Sequence, residues 1–505
     1  MIRIRYLQKR FTLHPRLRSP SLVLIVSMMV FMIFIMTACE TPKSRMRQRM
    51  KSVENGLLKA AVFKGLEPEK MKLAERMQYY RIPGVSIAAI YKNQIDWAKA
   101  YGVKNARFSD PILTDSLFQA AALSQPVAAL TALHFVEKGR LSLDTDVNTV
   151  LKSWKVPESP FTQRSKVTLR KILNHSASFM PAKLNGYPQS EDLPSLSMIL
   201  DGEKPALPPG VQLTGLPGAR FLYSDAGYAV LQQLLNDLEE KTFPEIAEEA
   251  VLQPLRMRNS TFECPLPSGL GEKAVSGHLR EGAPVEGRWY RYPAAAASGL
   301  WSTPSDLALF VIEVMKTARG ESQKIVSPAL AQAMLTPEEG IHGLGLNIED
   351  AGDNLFFHMW GSNKGYECIL VGYPVRGEGA VVMTNSENGY YLIHEILRGI
   401  SATYDWPHFQ PEVKTLYRLD DSIYPQYVGK YEVNPDYILD VAHEDYYLVI
   451  TPTGQVPTKF YAQGLTVFFS TDPYILIRFI KDSAGNVTGL VLNQRGQFTE
   501  ARKIE

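Results

Sequence analysis

The sequence predicts an α+β chain: an antiparallel sheet flanked by helices with a helical subdomain, followed by a small all-β barrel domain. Three observations predict it. A hairpin pattern comes early, where two apolar runs, 85–91 and 95–98, flank the polar turn Lys92-Asn93-Gln94. Strand-like runs return late, at 368–373 and 379–384, after a largely helical stretch that reaches about residue 260. From about Tyr427 onward, short aromatic or β-branched runs alternate with turns, the texture of a barrel or sandwich. Strands on both sides of a helical stretch pair most economically as one sheet covered by helices of the same chain.

Taken in order, the chain opens with Arg3, Arg5, Lys9, Arg10, Arg16 and Arg18, then an uncharged run of 18 residues, 21–38. A basic segment followed by an apolar core fits an export signal. The run also approaches the ~20 residues that span a bilayer, so an uncleaved signal anchor stays open. Met36-Thr37-Ala38-Cys39 resembles a bacterial lipobox. That resemblance implies a lipoprotein signal peptide over 1–38, cleavage before Cys39 and a diacylglyceryl anchor on Cys39. The expected location is then the bacterial cell envelope, exported and lipid-anchored. With Glu40 rather than aspartate after the cysteine, the outer membrane and periplasm are favoured. Residues 39–60, polar and basic, read as a tether.

A main domain over 61–405 follows. Residues 67–80 read as an amphipathic helix. A helix at 127–136 ends at the Lys138-Gly139 turn, and Thr303-Pro304-Ser305 caps another helix. Residues 394–404 read as a closing helix. A proline-containing link, 406–412, leads to the C-terminal β-domain, 413–505.

Bulk composition narrows the function. Of 505 residues, 45% are apolar and 21% charged, which suits a folded protein. A net charge of +2 is too small to suggest nucleic acid as a partner. The three cysteines, Cys39, Cys264 and Cys368, show no metal-ligand spacing. No cofactor is expected. Cys264 and Cys368 are either paired or two free thiols.

Five segments in order resemble the serine β-lactamase and penicillin-binding protein family, in the branch of class C β-lactamases, DD-peptidases and esterases. They are "IPGVSIAAIYKNQIDWAKAYG", "VTLRKILNHSASF", "FLYSDAGYAVLQQLL", "ASGLWSTPSDLALF" and "GYPVRGEGAVVMTN". The resemblance covers about 66–402, and the last domain is similar to the lipocalin-like domain appended to such proteins. It implies a β-lactamase/transpeptidase-like fold. It also implies three motifs, the first being S-x-x-K at the start of the central helix.

Here that stretch reads Phe118-Gln119-Ala120-Ala121-Ala122-Leu123-Ser124-Gln125-Pro126. The nucleophile position is Ala122 and the lysine position is Gln125. Alanine has no attacking atom, and a neutral amide shuttles no proton. The Y-x-N motif reads Tyr223-Ser224-Asp225, with a carboxylate in place of the amide. The K-T-G or H-x-G motif falls in 357–366, with Met359 at the cationic position and Trp360 at a glycine. Trp360 is therefore expected to fill substrate space. His358 is one residue off and, on a strand, faces the other way unless a bulge returns it. His175 is read as structural.

Three reactive positions are thus lost together. The leading expectation is a catalytically inactive, β-lactamase-related lipoprotein that binds a peptidoglycan peptide or a cell-wall protein. The alternative is a serine hydrolase (amidase, esterase or peptidase) with a displaced nucleophile such as Ser124. Ser124 lies about 200° round the helix from Ala122. A purely structural role resting on the β-domain is the third.

Overall fold

The computed structural model describes residues 41–505 apart from Pro208, Glu339 and Arg495. Residues 1–38, expected to be a signal segment, and Cys39 lie outside the described residues. Residues 51–505 form one compact unit. Among the described residues, no helix is long and apolar enough to cross a membrane.

The stretch expected to be a tether contains a helix, Pro42–Glu54. Its run of Arg, Lys, Gln and Met favours helix, proline is tolerated in the first turn, and Asn55-Gly56 ends it.

A six-stranded antiparallel sheet is the centre of the main domain. Its order is Gln94–Gly102, Gly84–Tyr91, Glu378–Thr384, Tyr366–Tyr373, Phe356–Asn363 and Asn347–Glu349. The first two strands are the expected hairpin. Lys92 and Asn93 both take positive φ, 52° and 57°, as a tight turn matching the strand twist requires. The early hairpin pairs with the late strand Glu378–Thr384, which closes the sheet across the helical stretch.

Alternation along the strands gives the sheet two apolar faces. Ala88, Leu370, Val381 and Met383 face the large core shared with helix Pro304–Ala318 and the helical subdomain. Helix Gly389–Tyr404 covers the opposite face and begins five residues before the expected start. Thr303 caps helix Pro304–Ala318 by accepting the Asp306 N–H. The helix expected over 67–80 spans only Leu73–Tyr79. The segment before it contains Pro68, and Met71 is drawn into a backbone bridge with Leu57.

Eight antiparallel strands, from Gly429–Asn434 to Gln497–Lys503, form a closed barrel in sequence order. Its interior is filled by Tyr431, Leu448, Phe460, Phe468, Ile477 and Phe479 among others, so it is a packed core. Among the contacts that join the barrel to the main domain, two stand out. Strand Ala61–Phe63 pairs in parallel with Glu412–Lys414 in the connecting link. Arg76, 8% exposed, bonds Glu395 at 2.6 Å and barrel residue Asp472 at 2.8 Å. Tyr80 adds its hydroxyl to Glu395 at 2.7 Å.

Candidate functional site

The central helix runs Ser124–Glu137 and is entered through a 3₁₀ turn, Ala121–Leu123. Ala121 has φ +50°, a left-handed conformation that costs a non-glycine residue on the order of 1 kcal/mol. Ser124 holds that turn. Its Oγ donates to the Ala121 carbonyl at 2.6 Å and accepts the Leu300 N–H at 3.0 Å. Ser124 is fully buried, whereas Ala122 is partly exposed.

Gln125 points from the first turn to the start of helix Asp225–Glu239. Its Nε2 donates to Tyr223 Oη at 2.7 Å and to Asp225 Oδ1 at 2.9 Å. Tyr223 donates to the same Oδ1 at 2.9 Å. Asp225 Oδ2 accepts the Leu184 N–H at 3.0 Å. Positions 125, 223 and 225, about 100 residues apart, therefore form one bonded cluster, as the motif register requires. Gln125 Oε1 is buried with no hydrogen-bond partner among the described residues.

Burial dominates the electrostatics. It raises the Asp225 carboxyl to about 6, against the lowering effect of the Leu184 N–H, Tyr223, Lys183 and Gln125. Burial first, then the neighbouring Asp225, holds the Tyr223 phenol far above its ordinary range. Tyr223 is thus a hydrogen-bond donor and no base. Burial pushes His175 down to about 3. Its neutral ring accepts the Ser224 N–H through Nδ1 at 3.2 Å and lies 4.6 Å from the Tyr223 ring. His175 thereby positions the Tyr223-Ser224-Asp225 segment, the structural role read from the sequence.

Strand Phe356–Asn363 forms the opposite wall. A Cβ on Gly361 would sit 2.6 Å from the Ala120 carbonyl oxygen, so only glycine lets the strand come this close. Met359, two residues earlier, shares that face and is 5% exposed within the core that holds Ala120, Ala121 and Leu123. An apolar thioether thus occupies the cationic position.

The intervening residues face away. Trp360 stacks on His394 at 5.3 Å and donates to Glu367 at 2.7 Å, under helix Gly389–Tyr404. The expectation that Trp360 fills substrate space is corrected by strand parity. His358 is also on the far face, bonded to Glu349 at 2.8 Å. The register from Tyr366↔Asn363 to Gly372↔Phe357 is continuous, with no bulge to return it.

Two contributors lay beyond sequence reasoning. Lys183 donates from its loop to the Ser362 carbonyl at 3.1 Å, joining that loop to the site strand, and Leu184 supplies the N–H on Asp225. Neither sits in a motif, so nothing local marks them. Cys368 packs behind the site, its thiol donating to the Ala120 carbonyl at 3.1 Å. Full burial holds that thiol well above the usual range. Cys264 is also a free thiol, raised by burial to about 11. Among the described residues, no cluster of His, Cys, Asp or Glu could hold a metal ion.

A two-faced antiparallel sheet and a helix-mouth cluster of this geometry define the β-lactamase and penicillin-binding protein class of serine-hydrolase folds. The beta-lactamase family model matches residues 71–397, and the chain belongs to that family. Penicillin-binding protein 4* of Bacillus subtilis (strain 168) is 21% identical over 422 residues, covering 76% of this chain and 87% of that protein. Protein flp of Staphylococcus aureus (strain N315) is 20% identical, over 62% of each chain.

Among solved structures, the octameric penicillin-binding protein homologue from Pyrococcus abyssi superposes with a TM-score of 0.56. It is 20% identical, with 85% of this chain and 98% of that one covered. SurE with D-Leu superposes with a TM-score of 0.52 at 20% identity, covering 86% and 97%. At such identities these structures speak for the fold.

Proposed function

We propose that this chain is a catalytically inactive member of its family, an envelope lipoprotein that binds a peptidoglycan peptide through the retained site. One observation carries the reading. Gln125 occupies the lysine position and is tied to Tyr223 and Asp225, while Ala122 beside it offers no nucleophile. Losing the nucleophile costs a comparable hydrolase on the order of 10⁶ in turnover. The cluster's geometry survives that loss, which favours retained binding over decay.

The displaced-nucleophile alternative is weakened by Ser124 itself. Its hydroxyl is fully buried, donating within the turn and accepting the Leu300 N–H, and no base among the described residues bonds to it. The test is thermal unfolding with and without a peptidoglycan stem peptide, with the peptide's mass followed in parallel. Protection of the protein with an unchanged peptide is expected. Cleavage of the peptide would refute the reading, and so would the absence of any protection.

A further inference from the structure

Charge is divided unevenly along this chain. Residues 41–51 hold five basic side chains and no acid, whereas residues 52–505 are net −8 although the whole chain is +2. Such asymmetry points to a surface-binding segment attached to an acidic body. Helix Pro42–Glu54 carries these cations, and it has no acid before Glu54. At 100° per residue, Met46, Met50 and Val53 fall on one side and are partly or fully covered. Lys43, Arg47 and Lys51, spaced by four, form a stripe along the helix and are exposed, as is Arg45. The uncharged run 21–38 ends four residues before the helix starts.

We propose that helix Pro42–Glu54 is a membrane-surface element whose exposed Lys43, Arg47 and Lys51 bind the anionic headgroups of phospholipids. The cations complement the surface charge of such a bilayer. The net-negative remainder of the chain adds no attraction to such a surface. The net-negative remainder of the chain likewise disfavours a nucleic acid.

The test uses residues 41–505, which keep the helix and the whole compact unit, in flotation with phosphatidylglycerol or phosphatidylcholine vesicles. Binding to phosphatidylglycerol alone is expected, falling with salt. K43Q/R47Q/K51Q preserves helix propensity and should lower partitioning on the order of 100-fold, about fivefold per cation. K64Q/K70Q/K138Q removes the same charge from exposed positions on the body and should leave partitioning unchanged. Equal binding to both vesicles would overturn the proposal. So would equal loss in both variants, or duplex DNA binding as tight as that to phosphatidylglycerol.

Discussion

Replacing Asp225 with asparagine tests the electrostatics of the site directly. Asp225 is 2% exposed, and burial lifts its carboxyl from 3.8 to about 6. The folded state therefore holds a proton that the unfolded state has released between those two values. Stability falls with rising pH wherever the folded state binds more protons. The penalty is absent below about pH 3.8, grows up to about 6 and is constant above. The gap is worth about 3 kcal/mol.

Asp225→Asn cannot titrate. It keeps one acceptor for Tyr223 and Gln125 but turns an N–H toward Leu184, a pH-independent cost of about 1–3 kcal/mol. Urea midpoints from pH 4 to pH 7.5 separate the two effects. The variant starts less stable and gains about 3 kcal/mol on the native chain by pH 7. Parallel curves would refute the argument. A native chain that instead gains on the variant as pH rises would mean that Asp225 is held below its ordinary value.

Four further outcomes follow from the same contacts. Ala122→Ser with Gln125→Lys should acylate poorly with a β-lactam, because Asp225 would hold the new lysine charged. Adding Asp225→Asn should raise the acylation rate about tenfold or more, measured by stopped-flow. Ser124→Ala strands the buried Leu300 N–H and should cost about 1–3 kcal/mol in denaturant unfolding, with ligand protection intact. Trp360→Ala should lower stability by about 2 kcal/mol and leave ligand protection unchanged, since Trp360 lies on the far face. Glu395→Leu leaves the buried Arg76 with one carboxylate, Asp472, beside the Tyr80 hydroxyl. It should cost about 3–5 kcal/mol and expose the barrel junction to limited proteolysis.

The sheet and barrel were legible because strand period and turn chemistry are local. Lys92-Asn93 announces its hairpin, and the aromatic alternation after Tyr427 announces the barrel. Phe118 and Pro126 set the register read for the site, and Gln125, Tyr223 and Asp225, named from that register, lie in one bonded cluster. Trp360 was misjudged although the alternation that turns His358 away turns Trp360 away as well. Glycine in the resembled pattern suggested open space, but position 361 is where glycine is sterically required. The short parallel pair Ala61–Phe63 with Glu412–Lys414 and the Lys183 contact with Ser362 depend on folding of distant segments. Nothing in their own sequence marks them.

The central claim, a site that keeps its geometry and has lost its nucleophile, is tested most directly by intact-mass spectrometry after incubation with benzylpenicillin and a fluorophosphonate. An unchanged mass with both reagents is the predicted result. A stoichiometric adduct that disappears in Ser124→Ala would contradict the account, because it would place a working nucleophile where the structure has a buried turn-bracing hydroxyl.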